Sequence, residues 1–175
     1  MSVYEVTVPC FAQMLRALVG FLKKGEARAR ELGFDPKNLL QSRLAPDMFP
    51  LANQVQFACT QAQQAVLRLC QHPLPALEAP VDMEQAYALI ERTLQLLSSA
   101  DKARIEEGAQ RPLSIELPGG MVFDMTGSEY ALNWATPQFY FHLVTAYNIL
   151  RHNGVPLGKA DYVQHMFAYM RKPAA

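Results

Sequence analysis

The run NWATPQFYFHLVTAYNILRHNGVPLGKADY, Asn133 to Tyr162, carries both ends of a helix in one short stretch. Thr136 and Pro137 read as an N-cap and a first helical residue, because proline lacks only an N–H that is unpaired at that position anyway. Gly154 stands where a left-handed residue closes a helix, and Pro156 bars continuation. Between these ends His142 sits among Phe139, Phe141, Leu143 and Ala146. A polar ring in apolar surroundings needs a partner.

Three more long helical patterns precede this one. Phe11, Met14, Leu15, Leu18, Phe21 and Leu22 follow helical spacing and predict a first helix from about Val6 to Leu32, ended by Gly33. Gly20 and Gly25 within it mark a bend or a close helix contact. A connecting segment, Phe34 to Pro46, carries the Asp35–Pro36 turn signal. A second helix is expected from Asp47 to Gln71, with Pro50 in its first turn and contact faces lined by small residues such as Ala58, Ala62 and Ala65. His72, Pro73 and Pro75 stop it, and Leu74 to Val81 reads as a loop. Asp82 with Gln85 three residues on reads as a capping box. The third helix then runs to about Glu107 on a stripe of Tyr87, Ile90, Leu94 and Leu97.

The period then changes. Leu113 to Leu117 and Met121 to Met125 alternate apolar and polar around Pro118-Gly119-Gly120, which is a hairpin signal. Two strands alone are marginal, so the hairpin must lie on the helices. Gly127 to Ala135 reads as a short helix or turn carrying Tyr130 and Trp134. The stretch Val163 to Met170 is expected to dock loosely or against another subunit. The sum is a mainly α chain: a four-helix bundle with a β-hairpin inserted before the last long helix, forming one domain over 1–175.

Composition narrows the function classes. Half of the 175 residues are hydrophobic and 18% are charged, so a sizeable core is available and little charge is left for the surface. Net charge is zero, which supplies no electrostatic footprint for nucleic acid or an anionic membrane. It also removes the self-repulsion that keeps small proteins apart, so a homodimer is expected. Cys10, Cys59 and Cys70 are odd in number and have no CxxC spacing, which fits a reduced cytoplasmic protein using cysteine as a small hydrophobe. The opening MSVYEVTVPC shows no basic leader pattern, and no apolar run is long enough to predict a membrane span.

The residues that could carry chemistry lie on the second and last helices. Gln138, His142 and Ala146 fall on one face of the last helix. Asp47, Gln54 and Gln61 recur every seven residues on the second, as either a solvated face or a polar stripe. Facing Gln138 and His142, that stripe would make a small-molecule pocket, with Thr145 and Tyr147 as further candidates. Arg151 and His152 suit the negative end of the helix dipole. No GxSxG nucleophile setting and no glycine-rich phosphate loop occurs.

The segments FHLVTAYNILRHNGVPLGKADY and LAPDMFPLANQVQFAC, Leu44 to Cys59, resemble an uncharacterised bacterial family similar to the DinB/YfiT-like superfamily of four-helix bundles. That resemblance implies a frequently dimeric bundle. It also implies a divalent metal, zinc or nickel, held by one histidine of the second helix and an i, i+4 pair on the last. Some members are linked to thiol-dependent transferase or isomerase chemistry. His142 matches the later histidine of the pair, the earlier position falls on Gln138, and the second-helix position falls near Gln54. One of three ligands is kept. The expectation is therefore a cytoplasmic, ligand-binding or non-catalytic bundle with a degenerate metal site. Its rivals are a metal-dependent, thiol-linked transferase or hydrolase-like enzyme using His142, Asp47 and water, and a structural or stress-response interaction module.

Overall fold

A computed structural model describes residues 2–171. Helix α1, Val3–Glu31, starts on Ser2, whose hydroxyl accepts from the Glu5 N–H. It begins three residues earlier than expected and runs through Pro9. Proline cannot donate to the carbonyl four residues back, and here the Cys10 thiol donates to that carbonyl, Glu5 O, at 3.3 Å. A short α2, Lys37–Leu40, follows and buries Leu39 and Leu40. Helix α3 is Leu51–Leu69, with extended Pro50 as its N-cap. Proline disfavours helical backbone in the residue before it, so no helix runs through Phe49 from Asp47.

The third helical pattern is two helices. Helix α4, Met83–Ser98, opens on Asp82 as expected, with its carboxylate accepting from Gln85 N at 2.7 Å. The chain breaks at Ser99, and Asp101 caps a new helix, α5, Lys102–Gly108, by accepting from Ala103 N and Arg104 N. The hairpin pairs β1, Pro112–Glu116, with β2, Val122–Thr126, antiparallel, with Leu113 opposite Met125 and Ile115 opposite Phe123. Gly119 and Gly120 turn it with φ of 94° and 82°, values an L side chain rarely adopts. Ile115 is buried, and Phe123 lies 5.5 Å from the Trp134 ring, which anchors the hairpin to the helices.

The last helix starts differently from the sequence reading. Thr126 and Glu129 form a capping box that opens α6, Gly127–Glu129. This passes through a π-helical turn, Tyr130–Ala135, directly into α7, Thr136–His152. Thr136 is therefore helical rather than a cap, and its buried hydroxyl has no partner among the described residues. Pro137 has no N–H to continue an α ladder, and the widened turn just before it absorbs that gap. The far end is as expected: Gly154 takes φ 77° and Val155 N donates to Leu150 O. A short α8, Lys159–Tyr162, and a 3-10 turn, Gln164–Tyr169, complete the described chain.

Helices α1, α4, α3 and α7 form a ring in which each packs on the next. Phe11, Met14, Leu15, Leu18, Phe21 and Leu22 all lie in the core, as their spacing requires. Small residues of α3, Ala58, Ala62 and Ala65, let its neighbours approach closely. Gly25 is the close contact of α1: a Cβ there would meet Leu150 Cδ2 at 3.1 Å. By length and composition α1 is also apolar enough to cross a membrane, and 56% of that window is buried among the other helices.

Candidate functional site

The glutamines of α3 divide by heptad. Gln56 and Gln63 turn toward the proline-bearing loop and donate to Leu77 O and Pro75 O, which pins that segment. Gln54 and Gln61 turn toward α7. There Gln54 Oε1 lies 2.9 Å from His142 Nδ1, and Gln61 Nε2 donates to Gln138 Oε1 at 3.4 Å. Gln54 and Gln61 of the polar stripe thus lie in a seam between two helices, while its third member, Asp47, is exposed ahead of α3.

The tautomer of His142 follows from the backbone. Gln54 is only 2% exposed, and its Nε2 donates to Phe49 O at 3.0 Å. That bond fixes which end of the amide faces the imidazole, because only the nitrogen can donate. The carbonyl oxygen therefore meets the ring, and Nδ1 carries the proton. Nε2 keeps its lone pair and has no hydrogen-bond partner among the described residues. Burial holds the imidazolium form down, with a pKa lowered to about 4, so the ring is neutral at physiological pH. Aromatic rings flank it: Phe57 at 5.0 Å and Phe141 at 5.3 Å, with Phe49 edge-on to Phe57. Sequence reasoning passed over Phe49 and Phe57. Phe57 stands one helical turn beyond Gln54, which is the signal that could have found it.

The other expected site residues do not join this group. Asp47 lies exposed on the turn ahead of α3, because the helix begins four residues later than its spacing implied. Thr145 is buried and spends its hydroxyl on Phe141 O of its own helix at 2.7 Å. Tyr147 faces the opposite seam, edge-on to Phe21 at 5.4 Å and near Tyr162 at 6.3 Å. Arg151, at the end of the same helix, donates to Val155 O.

A three-ligand metal centre does not fit these residues. Among the described residues there is no cluster of three or more histidine, cysteine, aspartate or glutamate side chains able to hold an ion. What meets His142 is an amide, a poor donor for zinc or nickel. Of the four histidines, His72 and His152 stand exposed at helix ends, and His165 lies on the 3-10 turn. The cysteines offer no substitute: Cys59 is fully buried, and its thiol pKa is pushed up to about 12 by desolvation.

The arrangement is an uncharged hydrogen-bonding seam with an aromatic collar, able to accept a proton or hydrogen bond at one imidazole nitrogen. Residues 3–163 match the domain of unknown function DUF1993. A crystal structure of a DinB family member protein from Shewanella denitrificans, at 1.83 Å resolution, is similar to this chain with 35% identity and a TM-score of 0.83. The similarity covers 98% of this chain and 94% of that one. Comparison with curated proteins found no match. The chain therefore belongs to the DUF1993 family, a domain family of unknown function, and carries the DinB-like helical fold.

Proposed function

We propose that this is a ligand-binding or non-catalytic DinB-like domain in which amides stand where the resembled superfamily places metal-ligating histidines. The observation that carries this reading is the Gln54–His142 hydrogen bond. It joins two of the three positions at which the resemblance places metal ligands, and it leaves a neutral imidazole in contact with an amide. A site of this kind suits a small neutral molecule that donates a hydrogen bond to His142 Nε2 and lays an apolar face on Phe57 and Phe141.

One feature favours the metal-dependent alternative. An imidazole whose Nδ1–H is held by a carbonyl is also how metal-bound histidines are oriented. A single pair of measurements separates the two readings. Elemental analysis of the purified protein and its His142→Ala variant is expected to find no stoichiometric metal in either. Nitrogen NMR of the imidazole is expected to show the neutral Nδ1–H tautomer at pH 7. Near-stoichiometric zinc, nickel or iron that disappears in His142→Ala would overturn the proposal.

A further inference from the structure

The hairpin leaves a strand edge open. Leu117 N donates to Met121 O and Gly127 N donates to Arg111 O, with Ile115 opposite Phe123 and Leu113 opposite Met125 between them. In an antiparallel pair only alternate residues turn their backbone groups toward the partner strand. Phe123 and Met125 therefore face β1, whereas Val122, Asp124 and Thr126 turn their N–H and carbonyl groups outward. The Thr126 N–H is taken by Glu129 Oε2 at 2.7 Å. The backbone groups of Val122 and Asp124 have no hydrogen-bond partner among the described residues.

The side chains of this edge do not suit a strand left to water. Met121, Val122 and Phe123 are consecutive apolar residues exposed by 57%, 53% and 41%. Unpaired edges are ordinarily guarded by proline or charge. The outer edge of β1 has both, in Pro112 and Glu116. On β2 the one charged residue is Asp124, and its carboxylate accepts from Ser114 Oγ of its own hairpin at 2.6 Å.

We propose that a second copy of this chain pairs with this edge, β2 antiparallel to β2, joining two hairpins into one four-stranded sheet about a two-fold axis at Phe123. Register selects that occupant. With the axis at Phe123, Val122 of each copy meets Asp124 of the other, and both pairs exchange two hydrogen bonds. The free backbone groups of one edge are thereby the complement of the free groups of the other. An axis at Asp124 would set two carboxylates opposite each other and put Val122 against the occupied Thr126 N–H. An axis at Val122 would put Asp124 against Gly120, whose N–H is bonded to Leu117 O. The two Phe123 residues face each other in the closer, non-bonded position, where an aromatic pair adds to the join. A net charge of zero opposes none of this. Such a contact is isologous and stops at two copies. It gives the homodimer expected from composition a place on the molecule, away from the His142 seam.

The test is sedimentation velocity of the full chain, with amide hydrogen exchange as a second reading. A join this small is weak, so monomer is expected at about 1 µM and dimer as the concentration approaches about 1 mM. Over the same range the Val122 and Asp124 amides should gain protection, while those of Phe123 and Met125 are protected throughout. Val122→Pro removes one outward N–H from each copy and leaves the bonds to β1 intact, since proline is tolerated where its position faces solvent. It should weaken association about tenfold or more. Monomer at about 1 mM, dimer formation without added protection at Val122 and Asp124, or undiminished association of a folded Val122→Pro would each overturn the proposal. If that variant does not fold, the exchange of the unaltered chain decides.

Discussion

Helix α7 meets α1 on one side and α3 on the other, and the two seams are built from different physics. Toward α1, Phe139 stacks on Phe11 with ring centroids 4.2 Å apart, and Tyr147 stands edge-on to Phe21. Toward α3, His142 meets Gln54, and Gln138 meets Gln61. The apolar seam gains from area removed from water and tolerates small shifts, because that force has no direction. The polar seam gains little net energy from each bond but penalises any arrangement that leaves a buried group unpaired. One side of α7 therefore supplies stability, and the other supplies orientation. A neutral imidazole with a fixed tautomer is the product of the second.

The largest expected effect breaks the apolar side. Phe139 is fully buried, and Phe139→Ala should cost about 3–5 kcal/mol of unfolding free energy, read from denaturant melts. A loss below about 1 kcal/mol would mean that the α1–α7 seam is not the stabilising one.

A smaller effect is expected on the polar side. Gln54→Ala removes the acceptor of His142 Nδ1–H and the donor to Phe49 O, and should cost about 2 kcal/mol. The double variant Gln54→Leu with His142→Phe should recover much of that loss, because it leaves no orphaned partner on the ring. If the double variant lost the sum of two single costs, the seam would owe its energy to packing and the contrast would fail.

The mildest probe is pH. An exposed histidine titrates near 6.5, whereas burial holds His142 at about 4. Between those values the unfolded chain takes up a proton that the folded chain refuses, so stability falls as pH drops from about 6.5 toward 4. Above 6.5 both states are neutral and this contribution is constant. Allowing for the ring's partial exposure, the loss should be about 1–2 kcal/mol. It should be absent from the difference between pH 5 and pH 7 melts of His142→Gln. An identical pH slope in that variant would remove His142 as its source.

Much of the fold could be read directly. The apolar spacing of α1, the Asp82 cap, the Gly154 stop and the hairpin around Gly119 and Gly120 are local events set by a few adjacent residues. The misreadings have a common cause, which is punctuation of the backbone. Asp101 starts a new helix inside what looks like one continuous pattern, and Pro137 sits inside a helix that began at Thr126. Both pairs of signals are ambiguous locally: an aspartate fits a helix surface as well as a cap, and Thr-Pro fits a helix start as well as a π turn. Only packing chooses between them. Asp47 was placed on the seam by its seven-residue spacing, yet that spacing holds only where the helix is continuous, and Pro50 ends it.

By itself the sequence determined which stretches are helical, which faces are apolar and that His142 would need a partner, because periodicity and desolvation act through near neighbours. It also limited the charged chemistry available, since composition needs no coordinates. Tertiary structure alone decided that the partner is Gln54, that the proton sits on Nδ1, and that Thr145 and Tyr147 belong elsewhere. Hydrogen bonds are directional and short, so which groups meet depends on the rotation of each helix in the bundle. That rotation is set by every packed side chain at once, not by the residues that finally touch.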